Sequence, residues 1–100
     1  MRIIGTDCIE AFCHKRPAAR RQFDRWLQTV AAARWRRWAD VKQTYALASK
    51  AGLCVVFDVQ GGSFRLVTRI DYELEVVCIL HVLTHQQYDQ GKWKDECECN

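Results

Sequence analysis

The sequence predicts a single α+β domain, with an N-terminal strand and helices packed on one face of a small antiparallel sheet. Three observations carry this. Apolar, β-rich runs at 53–59, 63–72 and 76–84 follow one another with only short connections between them. Ahead of them, Ala19, Phe23, Trp26, Leu27 and Val30 form an i, i+4, i+7, i+8, i+11 stripe, which is one face of a helix. The 100 residues, 49% hydrophobic and 11% aromatic, suit one domain that buries a modest core unaided.

Taken in order, Arg2-Ile3-Ile4 is short and β-branched and ends at Gly5, so it reads as a brief strand that pairs with the edge of the later sheet. Thr6 or Asp7 can cap a helix running to about Lys15, with Ile9, Phe12 and Cys13 on its apolar side. Pro17, the one proline, breaks that pattern and suits the first turn of the second helix. The polar face of that helix holds Arg20, Arg21, Asp24, Arg25 and Gln28. Residues 40–45 read as a further helical turn or two, and residues 46–52 as a loop.

Gln60-Gly61-Gly62 then stands between two strand runs. Paired glycines there signal a hairpin, because its turns need positive φ. Glu73-Leu74-Glu75 makes the second tight connection, completing a three-stranded meander and a βααβββ order. Residues 1–93 are expected to form the domain and residues 94–100 a flexible tail.

Within the middle run, alternation sends Phe64, Leu66, Thr68 and Ile70 to one face and Arg65, Val67, Arg69 and Asp71 to the other. Arg65 and Arg69 then share a face roughly 13 Å apart by the strand rise. They suggest a wet, anion-binding surface. Solvated surface arginines, with Asp71 neutralising Arg69, account for the pattern equally.

The net charge of +3 is unevenly spread. Lys15, Arg16, Arg20, Arg21, Arg25, Arg34, Arg36, Arg37 and Lys42 face only Asp24 and Asp40 across that stretch. A basic half with interleaved aromatics is the footprint of a phosphate-rich partner, or else a solvated face that keeps the chain soluble. Arg34, Trp35, Arg36, Arg37 and Lys42 are the candidates to stack bases and hold phosphates. The alternative makes Trp35 and Trp38 anchors of the helix-to-sheet connection.

No run of 18 apolar residues exists, and the first residues lack a signal peptide's apolar segment, so no membrane partner and a cytoplasmic location are expected. Cys8, Cys13, Cys54 and Cys78 therefore read as reduced core thiols. Cys97 and Cys99 form a C-x-C pair that lacks structural-zinc spacing. No metal or cofactor is expected.

The segments Gly61-Gly62, Phe64-Arg65-Leu66-Val67 and Asp71-Tyr72 resemble those of the HigB-type toxins of bacterial toxin–antitoxin systems. The run Val82-Leu83-Thr84-His85-Gln86-Gln87-Tyr88-Asp89-Gln90-Gly91-Lys92-Trp93-Lys94 does so too, carrying that family's T-H-x-x-Y-D motif. Trp35-Arg36-Arg37-Trp38-Ala39-Asp40-Val41-Lys42 is similar to the family's W-K-x-F-A-D segment, and Met1-Arg2-Ile3-Ile4 also matches. The resemblance spans nearly the whole chain.

It implies a RelE-like fold and an endoribonuclease that cleaves mRNA on the translating ribosome. It also implies inhibition by a HigA-type helix-turn-helix antitoxin, through which alone operator DNA is contacted. By position it puts the family's basic strand residue on Arg65 and its terminal motif on Thr84, His85, Tyr88 and Asp89, and it adds Lys92 to the RNA contacts. Two positions depart from the family. Leu80 stands where many relatives have an arginine, leaving Arg69 or His81 as substitute, and Asp58 stands where asparagine is frequent.

RNA cleavage by the 2′-OH needs a base, an acid and a cation for the phosphorane. Arg65, supported by Arg69, suits the cation, because a guanidinium binds phosphate through a planar fork. Histidine titrates near neutrality, so His85 can move a proton, and Tyr88 can assist it or stack on a base. Structural alternatives stand beside both: His85 as a cap on a backbone carbonyl, Tyr88 as a ring folded over the sheet end. Other functions compatible with the residues are a non-catalytic RNA- or ribosome-binding module, a degenerate toxin without cleavage, and a gyrase inhibitor.

Overall fold

A computed structural model describes residues 1–97. Its elements are β1 (Arg2–Ile4), α1 (Thr6–Lys15), a 3₁₀ turn (Pro17–Ala19) that runs into α2 (Arg20–Ala32), α3 (Trp38–Thr44), β2 (Ser49–Ala51), β3 (Cys54–Val59), β4 (Phe64–Asp71), β5 (Val76–Thr84), α4 (His85–Gln90) and a final 3₁₀ helix (Lys92–Cys97). The five strands lie in the order β1-β5-β4-β3-β2. The meander is antiparallel as expected, and β1 pairs parallel to β5, with Arg2 opposite Val76.

The helices cover one face. The α2 stripe buries Phe23, Trp26 and Val30 with Ile9 and Phe12 of α1, against Phe57, Leu66, Val77 and Ile79 of the sheet. Phe57 is the centre of this core: Trp35 stacks on it at 5.8 Å, and Trp26 and Tyr45 meet it edge-on, each at 5.4 Å. Thr68, fully buried on the neighbouring β4, donates its hydroxyl across to Val55 O at 2.8 Å, so this buried hydroxyl is satisfied.

Gly5 joins β1 to α1 in a left-handed conformation (φ 89°), and a Cβ on it would sit 2.6 Å from the Ile79 carbonyl oxygen. Both demands exclude a side chain. Gly5→Ala is therefore expected to lower unfolding free energy by about 1–3 kcal/mol or more, read as a shifted urea midpoint at constant slope.

Four expectations are corrected. Residues 46–52 are not all loop: Ser49–Ala51 pairs antiparallel with β3, Ala51 opposite Cys54, through the two-residue connection Gly52-Leu53. Ser-Lys-Ala has little strand propensity, and the ladder offered by β3 overrides it. The α1 N-cap is Gly5, without a side-chain capping bond, rather than Thr6 or Asp7. Cys54 is not a thiol: it forms a disulfide with Cys97, so Cys97 is also unavailable to a C-x-C metal pair. Cys8, Cys13 and Cys78 are free, and burial raises the Cys8 and Cys13 thiols above their ordinary values.

The tail expectation changes as well. Lys92–Cys97 is helical, with Trp93 and Cys97 buried against Cys54, Val56 and Val67. The chain end thus builds a second, smaller core on the face that the helices leave open. Glu98, Cys99 and Asn100, the rest of the expected tail, lie outside the described residues.

Candidate functional site

Strand register brings the site together. The turn Gln60-Gly61-Gly62 returns β3 into β4 with Asp58 opposite Arg65, and Arg65 lies opposite Leu83 of β5. All three are on the face away from α1 and α2. β5 ends at Thr84, whose Oγ1 accepts from Gln87 N at 3.2 Å while Gln87 Oε1 accepts from Thr84 N at 3.0 Å. This capping box starts α4 firmly, and His85 N donates to Ser63 O at 3.0 Å, pinning the helix to the hairpin turn. His85, Tyr88 and Asp89 then fall at i, i+3 and i+4.

Arg65 is the hub. Its Nε lies 3.1 Å from Asp58 Oδ1, its Nη1 donates to Gly62 O, and its Nη2 lies 3.4 Å from His85 Nδ1. The guanidinium carbon stands 5.2 Å from the centre of the Tyr88 ring. Only 14% of the Arg65 side chain is exposed, so its planar fork is held in one orientation. On the other side of the imidazole, His85 Nε2 lies 3.2 Å from Asp89 Oδ2. With both ring nitrogens engaged, the neutral ring that fits carries its proton on Nε2 and accepts from Arg65 at Nδ1.

Tyr88 is in turn stacked on Trp93, with centroids 4.8 Å apart and planes at 11°. Trp93 Nε1 donates to Tyr88 O at 2.9 Å. The row Asp58, Arg65, Tyr88, Trp93 therefore runs from the β3–β4 hairpin to the C-terminal turn. A fixed cation beside an exposed imidazole and a phenol can bind a phosphoryl oxygen and move a proton next to it.

Of the candidate residues, Arg65 meets both His85 and Tyr88. Arg69 shares the face of Arg65 but lies opposite Cys78, exposed, in a separate cleft with Asp71 and Tyr72. Trp35 cannot stack on a base: it is 2% exposed, its indole donates to Thr44 Oγ1 at 3.0 Å, and its ring belongs to the core. Lys42 turns its ammonium onto Ala46 O and Ala48 O rather than outward. Arg34, Arg36 and Arg37 are exposed, but Arg34 borders Leu74 and Glu75, at the opposite end of the sheet from the Gly61-Gly62 turn. Lys92 is exposed just beyond α4.

The residue match extends past these contacts. Residues 19–91 fit the family model described as HigB_toxin, RelE-like toxic component of a toxin-antitoxin system. The chain belongs to the HigB toxin family. A comparison with curated proteins found no match. As a HigB-family protein it is the toxic component of a toxin–antitoxin system and has an antitoxin as partner, and its α+β architecture is that of a small RelE-like fold. No helix among the described residues is long and apolar enough to cross a membrane.

Two residues of the site went unnoticed in the sequence. Asp58 reads there only as a departure from the family's frequent asparagine, yet it holds Arg65. The signal was present, because a hairpin closing at Gln60-Gly61-Gly62 places Asp58 across from Arg65. Trp93 supports Tyr88 from a segment without periodicity, and nothing in the local sequence foretells that stacking.

Proposed function

We propose that this HigB-family toxin is an endoribonuclease that cleaves mRNA on the translating ribosome, in the cytoplasm, under the control of a HigA-type antitoxin. The observation that carries this reading is the Arg65 guanidinium held within reach of His85 and against Tyr88. In the proposed reaction the Nη2 group of Arg65 donates to a non-bridging oxygen of the scissile phosphate in place of His85, which frees His85 Nδ1. The ribose 2′-oxygen attacks phosphorus as its proton passes to a base, and the 5′-oxygen leaves as it takes a proton from an acid. His85 and Tyr88 supply these two roles. The products are a 2′,3′-cyclic phosphate and a 5′-hydroxyl, and no step draws on a metal.

One observation favours a second reading, a non-catalytic RNA- or ribosome-binding module. Asp58 offsets much of the Arg65 charge, and Leu80 packs in the second core where many relatives have an arginine. Primer extension on a reporter mRNA in a bacterial translation extract separates the two readings. New 5′ ends inside the coding region, only during translation and undiminished by EDTA, are the expected result. RNA or ribosome binding without new ends overturns the nuclease reading.

A further inference from the structure

On the far side of Tyr88 and Trp93 from Arg65, α4, β5 and the last 3₁₀ helix enclose a pocket of about 230 Å³ lined by His81, Leu83, Gln87, Gln90, Lys92 and Trp93. We propose that it is a nucleobase subsite, which takes the base of a nucleotide flanking the scissile phosphate and sets the base preference at that position. The inference rests on the reading of the chain as an RNA-cleaving protein.

The argument begins with position. Leu83 is the cross-strand partner of Arg65, so the pocket wall and the proposed phosphate ligand sit on adjacent strands. Tyr88 bridges them, with its ring against the Arg65 guanidinium and stacked on Trp93. A phosphate on Arg65 therefore directs the neighbouring nucleotide along this row. The larger clefts beside Arg69 and on the outer face of α2 have no such connection to Arg65.

Chemistry points the same way. Leu83 and Trp93 supply apolar surface, and two amides, an imidazole and an ammonium surround it. A few fixed polar groups around an apolar slot recognise a heteroaromatic ring with hydrogen-bonding edges. A bare phosphate would ask for more cations, and an aliphatic group for fewer polar atoms.

Gln87 is the residue best suited to discriminate. Its Oε1 is tied to Thr84 N by the capping box, which fixes the amide and leaves the NH₂ end as the donor. A donor locked in orientation can select for an acceptor on a base edge, whereas a free amide can flip to suit either edge. Lys92 at the rim is placed to meet the backbone phosphate of the same nucleotide.

Gln87→Glu tests this. Glutamate is the usual residue at this point of a capping box, so α4 keeps its cap while the donor is lost. Mapping of cut sites over a reporter transcriptome is expected to show the preference at one flanking position falling by about tenfold or more, the size of a lost base-edge contact. Gln90→Ala should broaden the same position. An unchanged base distribution in both variants overturns the proposal.

A second measurement does not depend on cleavage. Short single-stranded RNAs of each homopolymer are titrated into the isotopically labelled toxin while the side-chain amide signals of Gln87 and Gln90 and the Trp93 indole are followed. Base-dependent shifts at these groups, weakened in Gln87→Glu, support the pocket even if no RNA is cut, in which case only the nuclease reading fails. RNA binding that leaves all three groups unmoved removes the pocket.

Discussion

Arg65→Ala is expected to abolish growth arrest when the toxin is induced without its antitoxin, and to lower cleavage of ribosome-bound mRNA by about 10³-fold or more. A cation that meets charge developing on a transferred phosphoryl group is worth this much. Arg65 has the geometry for it, because Asp58 and the Gly62 carbonyl grip one edge of the guanidinium and leave Nη2 toward His85. Loss of the side chain also strands the half-buried Asp58 carboxylate, so part of the effect could come from the fold. Arg65→Ala combined with Asp58→Asn separates the two effects: stability, read by urea unfolding, should recover while activity does not. Arg65→Lys keeps the charge without the fork and should restore only a small part of the rate. His85→Ala should likewise abolish arrest while leaving the fold intact. If Arg65→Ala and His85→Ala both remain fully toxic, the site lies elsewhere on the molecule.

The second large effect concerns stability. The Cys54–Cys97 bond joins residues 43 apart, and closing a loop of that length stabilises a folded chain by about 4 kcal/mol on the chain-entropy account. Unfolding of the oxidised protein and of the same protein under a thiol reductant should differ by up to this amount. Equal urea midpoints in the two conditions would mean that the cross-link contributes nothing in solution. Reduction should also loosen Trp93, because Cys97 and Trp93 share one short helix packed on Cys54, Val56 and Val67. The Trp93 indole N–H signal in the spectrum of isotopically labelled protein reports this, resolved from those of Trp26, Trp35 and Trp38. The cytoplasm proposed for the toxin would keep most thiols reduced, so the two redox forms are also the forms to compare in the cleavage assay.

Much of this was legible from residue order. The α2 stripe, the glycine-marked hairpin and the alternation of β4 each express a local rule, and the burial of Phe23, Trp26 and Val30, the turn at residue 61 and the two faces of β4 follow them. The Thr84–Gln87 capping box is equally local, yet the sequence suggested a cap only at His85 and no helix there. What escaped depends on partners distant in the chain. β2 is a strand only because β3 offers it a ladder. Cys54 meets Cys97 only after the chain end crosses the sheet. Trp35 carries the pattern of a base-stacking residue, but Phe57, contributed by another element, draws it into the core. Alternation placed Arg65 and Arg69 correctly on one face, but it could not say that the other members of the site gather at one end of that face, since this follows from where β5 stops and α4 turns.

The parallel pairing of β1 with β5 also fixes a timetable. Arg2 waits for Val76, and at ordinary rates of synthesis the intervening chain takes roughly 4 to 15 s to appear. Until then the first strand has no ladder to join, and Thr84, His85, Tyr88 and Trp93 come later still. A nascent chain can fold its helices early, yet its Arg65 has neither imidazole nor phenol beside it while the ribosome is still working on the message. On the proposed mechanism, a chain that stops short of α4 keeps Arg65 but lacks His85 and Tyr88, and its induction is expected to cause no growth arrest.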